Sequence, residues 1–222
     1  MLNTLDDYIS HSLPTEGDFS THPDLVQKVD GTGCFLPFYG NTVVFLLEEQ
    51  TQQQLEELRQ TLYTAAGEIL AEPLSANTFH MTLHDLANGR PNQPGLEKWM
   101  QQTQEKAQEI LNGFAAFPPL EMRGTWLFNM VNTSIVLGLS PADEETARQL
   151  TQMYAALEQV RPLGYALTPH ITIAYFRPGR YPQAYVCRLN AALHPVEITI
   201  RLHGERLMLQ SFQDMNHYSS CF

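Results

Sequence analysis

Two six-residue segments ninety positions apart, Thr78-Phe79-His80-Met81-Thr82-Leu83 and Thr168-Pro169-His170-Ile171-Thr172-Ile173, carry the same pattern. Polar residues alternate with apolar ones, so in each segment the histidine and the threonine share one face of a strand while Met81 and Leu83, or Ile171 and Ile173, take the other. Residues two apart on a strand lie roughly 6.5 to 7 Å from each other, within reach of one phosphate group. If the two strands face each other, the chain brings two imidazoles and two hydroxyls to one groove. Breaking a phosphodiester by acid–base chemistry needs a base on one side of phosphorus and an acid on the other. Imidazoles titrate near neutral pH and can be either, while threonine hydroxyls can donate to the non-bridging oxygens as charge builds. A single His-x-Thr triplet is common by chance, and a lone strand histidine is more often structural. The repetition, with matching flanks and a matching place after a helix, carries the functional reading.

The elements that must position these residues recur in the same order. Thr42-Val43-Val44-Phe45-Leu46-Leu47 reads as a buried strand. Thr51 and Gln54 form a capping-box pair, and Leu55, Leu58, Leu62 and Ala65 repeat at helical spacing before the first motif. In the second half Ser134 to Leu139 reads as a strand. Ser140 is placed to cap the next helix with Pro141 in its first turn and Asp143, Glu144 and Glu145 near its positive end. Leu150, Met153, Tyr154 and Leu157 form that helix's stripe, and the second motif follows. Between the halves lie a turn-rich segment from Asn88 to Gly95, a helix carrying Leu96, Trp99, Thr103, Ala107 and Ile110 or Leu111, and a strand within Phe117 to Phe128. A last helix around Ala184 to Leu193 leads into Ile198–Leu202, a turn at His203-Gly204-Glu205, and Arg206–Phe212, the pattern of a closing hairpin.

At 222 residues with 43% apolar composition the chain can fill a sizeable core. Its formal charge of −11 works against attraction to a long polynucleotide or an anionic membrane, which favours a small nucleotide or an RNA terminus over DNA. No stretch approaches the roughly 20 apolar residues of a membrane span, and the N-terminus lacks a signal-peptide pattern. The expectation is a cytoplasmic monomer. Cys34, Cys187 and Cys221 are scattered and read as free thiols, and no cofactor motif occurs: Gly31-Thr32-Gly33 lacks the rest of a dinucleotide fingerprint. Asn132-Thr133-Ser134 fits a glycosylation acceptor that a cytoplasmic chain would not use. His84 continues the alternation from His80 and Thr82, which sets it at the groove's edge or in solvent. Phe38, Tyr39 and Phe176 offer rings for stacking on a nucleobase, with core packing the commoner duty of such residues. Arg177 and Arg180 follow the second motif, where either a phosphate or solvent would suit them.

The paired motifs His80-Met81-Thr82-Leu83 and His170-Ile171-Thr172-Ile173 resemble those of the 2H phosphoesterase superfamily. The resemblance runs from about Gly31 to the C-terminal strands, and the stretch Gly33 to Val44 is similar to a bacterial branch of it. It implies an α+β fold, two-lobed and pseudo-twofold symmetric, with mostly antiparallel sheets lining a central cleft and helices outside. It implies a single bilobal domain over 31–222; residues 1–30, which it does not cover, are polar, carry Pro14, Gly17 and Pro23, show no sustained period and read as an irregular extension that packs on the main body. It also implies metal-independent hydrolysis of 2′,3′-cyclic phosphates, ADP-ribose cyclic phosphate or 2′-5′ linkages, with His80 and His170 as the acid–base pair and Thr82 and Thr172 as phosphate ligands. Which histidine is the acid stays open. Two other readings are a cleft that binds a nucleotide or RNA end without turnover, and structural histidines beneath an acidic docking face.

Overall fold

The β-branched run after Gly40 forms the strand on which the first half of the fold is built, β2 (Tyr39–Leu46). The structure, a computed structural model, describes residues 2, 3, 13, 16–114, 117–193 and 195–221. Ahead of β2 comes β1 (Phe19–Ser20), and after it β3 (His80–Gly89), β4 (Leu120–Met130), β5 (Ser134–Pro141), β6 (His170–Tyr175), β7 (Arg180–Tyr181), β8 (Pro195–Leu202), β9 (Leu207–Asp214) and β10 (His217–Ser220). The helices are α1 (Glu49–Ala66), α2 (Leu96–Gly113), α3 (Glu144–Leu157) and α4 (Gln183–Ala192).

Eight strands form one sheet in the order β10-β9-β2-β3-β6-β5-β4-β8, every registered pair antiparallel. The order divides into two four-stranded halves, and each half reaches its motif strand through strand, helix, strand: β2-α1-β3 and β5-α3-β6. The halves meet where Met81 of β3 lies opposite Ile171 of β6. The fold is thus α+β and two-lobed, the two sheets being continuous across this central pair. Val43, Phe45, Met81, Leu83, Ile171 and Ile173 are fully buried in the main core, to which α1 contributes Leu55 and Leu62 and α3 contributes Leu150 and Leu157.

The extension expected over 1–30 falls partly outside the described residues. Of what is described, β1 pairs with β7, and Leu13, Phe19, Leu25 and Val29 lie in the core. Leu2 bridges Leu167, and the Asn3 N–H donates to the Leu167 carbonyl at 2.9 Å.

Several local expectations give way to tertiary structure. The Ile198–Leu202 and Arg206–Phe212 runs do not pair as a hairpin: β8 pairs with β4 and β9 with β2, in opposite halves of the sheet. Two apolar runs around a short glycine turn look the same locally in either case, and the non-local strand partners decide. Ser140 and Pro141 extend β5 opposite Arg123 and Met122, so the cap of α3 moves to Asp143, whose carboxylate accepts from the Thr146 N–H at 2.7 Å. In α1 the N-cap is Glu48, and Thr51 lies inside the helix, buried.

Candidate active site

Both motif strands depart from regular alternation at the same place. On β3 Thr82 pairs with Val44 and His84 with Val43, which leaves Leu83 as an extra residue. On β6 Thr172 pairs with Val136 and Ala174 with Ile135, which leaves Ile173 extra. Each bulge turns the residue fourth after the motif histidine away from the cleft and the fifth toward it. Asp85 and Tyr175 therefore take matching places on the cleft face, while His84 and Ala174 turn inward. His84, expected at the groove's edge, is 1% exposed; its Nε2 lies 3.0 Å from Glu158 Oε1 and its Nδ1 2.8 Å from the Asp85 carbonyl. Side chains of β2 hold the irregular strand. The Thr42 hydroxyl donates to the His84 carbonyl at 3.1 Å, and Asn41 Oδ1 accepts from the Ala87 N–H at 2.9 Å, at a second break in register.

The Met81–Ile171 pair sets the geometry of the four motif side chains. Antiparallel register about that pair places His80 opposite Thr172 and Thr82 opposite His170, positions about 5 Å apart in a regular ladder. The imidazoles occupy one diagonal of the resulting patch, with roughly 7–8 Å between their Cβ atoms. That separation is short enough for two rings leaning inward to touch one small group placed between them. His80, Thr82, His170 and Thr172 all line one cavity of about 200 Å³.

The two rings are held alike. His80 Nδ1 lies 2.7 Å from the Thr78 carbonyl, and His170 Nδ1 lies 2.7 Å from the Thr168 carbonyl. A carbonyl only accepts, so Nδ1 carries a hydrogen on both rings and Nε2 is the nitrogen free to exchange a proton in the cavity. Burial pulls the His80 pKa down to about 4, against the opposing pull of the Thr78 carbonyl and the Asp85 charge. Burial lowers His170 as well, opposed by the Thr168 carbonyl and Asp85. At neutral pH both imidazoles are thus neutral, with their Nε2 lone pairs available.

The same cavity brings together groups that sequence reasoning missed: Lys28, Asp85, Tyr175 and Tyr218. The Lys28 ammonium sits 5.1 Å from the centre of the Phe38 ring, and burial lowers its pKa against the attraction of Asp85. Tyr175 and Tyr218 have phenol pKa values pushed up by burial, so both stay protonated and can donate. The Tyr218 ring meets His80 edge-on at 4.9 Å, and Phe38 and Phe212 stack at 6.4 Å to extend that wall. The positions of Asp85 and Tyr175 follow from reading each motif two residues further with its bulge. Lys28 and Tyr218 arrive from the two ends of the chain and leave no local trace.

Of the other candidates, Phe38 lines the cavity, whereas Phe176 is fully buried in the core and Tyr39 is exposed. Arg177 lies by Tyr181, its Nε 3.4 Å from the phenol oxygen, and Arg180 forms an exposed ion pair with Asp18; neither lines the cavity. Among the described residues no group of three or more His, Cys, Asp or Glu side chains is arranged to hold a metal ion, and no helix is long and apolar enough to cross a membrane.

No protein-family model and no curated protein matches the sequence. Solved structures do. A conserved protein of unknown function from Agrobacterium tumefaciens is 21% identical, with 96% of each chain covered and a TM-score of 0.65. A Thermus thermophilus protein is 13% identical over 82% of this chain and 95% of its own, at a TM-score of 0.55. Escherichia coli LigT, solved with 3′-AMP, is 14% identical over 84% of this chain and 96% of its own, at a TM-score of 0.54. At these identities the likeness is one of fold. With that fold and with paired His-x-Thr motifs on one cleft, the chain resembles the 2H phosphoesterase superfamily.

Proposed function

We propose that the protein is a metal-independent phosphodiesterase of the 2H type. It hydrolyses a cyclic phosphate, in a 2′,3′-cyclic nucleotide or ADP-ribose cyclic phosphate, or a 2′-5′ linkage at an RNA end. The observation that carries this reading is the pair of histidines, diagonal across the Met81–Ile171 junction and each oriented by the same Nδ1 hydrogen bond toward one cavity. The fold shared with LigT, a protein solved with 3′-AMP bound, agrees with it. The net charge of −11 favours a small nucleotide or a terminus over DNA. Residues 31–222 act in this reading as one bilobal unit, with Lys28 supplied from the segment before it.

His80 and His170 serve as the acid–base pair, and Thr82 and Thr172 donate to the phosphate's non-bridging oxygens. A water oxygen bonds to phosphorus as the bond to one ribose oxygen breaks. The water's proton passes to Nε2 of one ring, and the other ring gives its Nε2 proton to the departing oxygen. That acid must be charged, although burial favours the neutral ring. The substrate's own negative charge restores it: an anion about 4 Å away is worth about 4 kcal/mol at an effective dielectric of about 20, or about three pKa units. Replacing His80 or His170 by Ala is expected to lower kcat on 2′,3′-cyclic nucleotides by roughly 10²- to 10⁴-fold with the circular dichroism spectrum unchanged. EDTA is expected to leave the wild-type rate as it was. Near-wild-type turnover by both variants overturns the assignment, and tight binding by the wild type without any product replaces it with a binding protein.

A further inference from the structure

The cavity that holds the four motif side chains has few fixed charges. Among the described residues lining it, Lys28 is the only lysine or arginine and Asp85 the only carboxylate. Burial keeps His80 and His170 neutral at neutral pH, and Thr82 and Thr172 offer dipoles rather than charge. Without the lysine the cavity would be net negative, in a chain whose formal charge is already −11, and would repel a phosphate. The main chain at Lys28 is fixed on both sides. It follows a 3₁₀ turn over Pro23–Gln27, its N–H donates to the Leu25 carbonyl at 2.9 Å, and its carbonyl accepts from the Leu36 N–H at 2.8 Å. The next residue, Val29, is fully buried and bridges Phe35. The side chain runs beside Phe38, with Nζ 5.1 Å from the ring centre, and Phe38 stacks in turn on Phe212.

A ring face attracts an ammonium but gives its hydrogens no oxygen to bond. Among the described residues no oxygen accepts from Nζ, and Asp85 acts on it as a charge from beyond ion-pair distance. A cation withdrawn from water with its donors unused is costly to hold, and burial accordingly pulls the Lys28 pKa down against the attraction of Asp85. An anion delivered to the cavity relieves that cost. We propose that Lys28 is a further phosphate ligand of the cleft, its ammonium donating to a non-bridging oxygen of the substrate beside the hydroxyls of Thr82 and Thr172. This rests on the phosphodiesterase reading and adds to it a residue from outside both motifs. The charge on those oxygens is present before the bond to phosphorus breaks as well as during its breaking. The ammonium therefore binds ground and transition states about alike and acts on KM more than on kcat. It moves no proton, which the two imidazoles do.

The test measures sulfate affinity by titration calorimetry, and KM and kcat on a 2′,3′-cyclic nucleotide, in the wild type, Lys28→Met and Lys28→Arg. Methionine keeps an unbranched stem beside Phe38 and removes the charge, whereas arginine keeps the charge. In Lys28→Met, sulfate affinity is expected to fall and KM to rise by roughly ten- to hundredfold, the worth of one charged hydrogen bond, with kcat little changed. A urea melt should show no loss of stability, since the variant removes a desolvated charge and keeps the packing. Lys28→Arg should retain most of the sulfate affinity and of the wild-type KM. Sulfate bound as tightly by Lys28→Met as by the wild type, or weakened equally in both variants, overturns this inference and leaves the phosphodiesterase reading standing. A wild type that binds sulfate with this dependence on Lys28 but turns over no diester defeats that reading instead, and supports Lys28 as the cavity's anion ligand.

Discussion

Occupying the cavity with an anion should reverse the protonation of the two imidazoles. Burial dominates in the structure, and it lowers the His80 pKa to about 4 and the His170 pKa below the ordinary 6.5. Sulfate is a suitable probe, because its charge is constant across the range in which the rings titrate. One negative charge about 4 Å from Nε2 contributes about 4 kcal/mol at an effective dielectric of about 20, and so raises the pKa by about three units. That carries His80 from about 4 to about 7. The assay is the histidine C2–H shift followed by NMR against pH, with and without saturating sulfate, assigned through His80→Gln and His170→Gln. Linkage requires sulfate to bind with uptake of protons, so its affinity should decline as pH rises through the bound-state value. A free His80 that titrates near 6.5 refutes the burial argument. A pKa indifferent to sulfate refutes the claim that Nε2 faces the anion.

The same depressed pKa has a consequence for stability. The unfolded chain binds the His80 proton near pH 6.5 and the folded one only near 4, so this contribution is fully present above about 6.5 and is lost as pH falls toward 4. A shift of 2.5 units amounts to about 3 kcal/mol, and denaturant melts of His80→Gln should show that much less acid sensitivity over this window; equal sensitivity contradicts the assignment. At β3's second break in register, Asn41→Ala is expected to cost about 1–3 kcal/mol in a urea melt, because the buried Ala87 N–H loses its acceptor. A cost near zero would mean that the strand's irregularity does not depend on that bond.

Much of this arrangement was legible in the sequence because the relevant pattern is local. Alternation over six residues is enough to put His80 with Thr82, and His170 with Thr172, on one face, and their repetition after strand and helix points to two related halves. What escaped depends on contacts that no short window contains. The bulges at Leu83 and Ile173 leave the apolar–polar pattern intact up to the threonine and then invert it, so His84 turns inward and Asp85 faces the cleft. They are set by pairing with Val43 and Val44, and with Ile135 and Val136, some forty residues away in sequence. The expected hairpin fails for the same reason: β8 and β9 each bind an older neighbour, β4 and β2, rather than each other. Lys28 and Tyr218 reach the cavity from segments far from either motif in sequence.

The central claim is that the two imidazoles flank one phosphorus, and a crystal structure with inorganic phosphate in the cleft tests it most directly. The expected result has Nε2 of His80 and Nε2 of His170 each about 2.7–3.2 Å from different oxygens of a single phosphate, with the Thr82 and Thr172 hydroxyls on its other oxygens. A phosphate that meets only one ring, or that binds elsewhere while the cavity stays closed to it, contradicts the account.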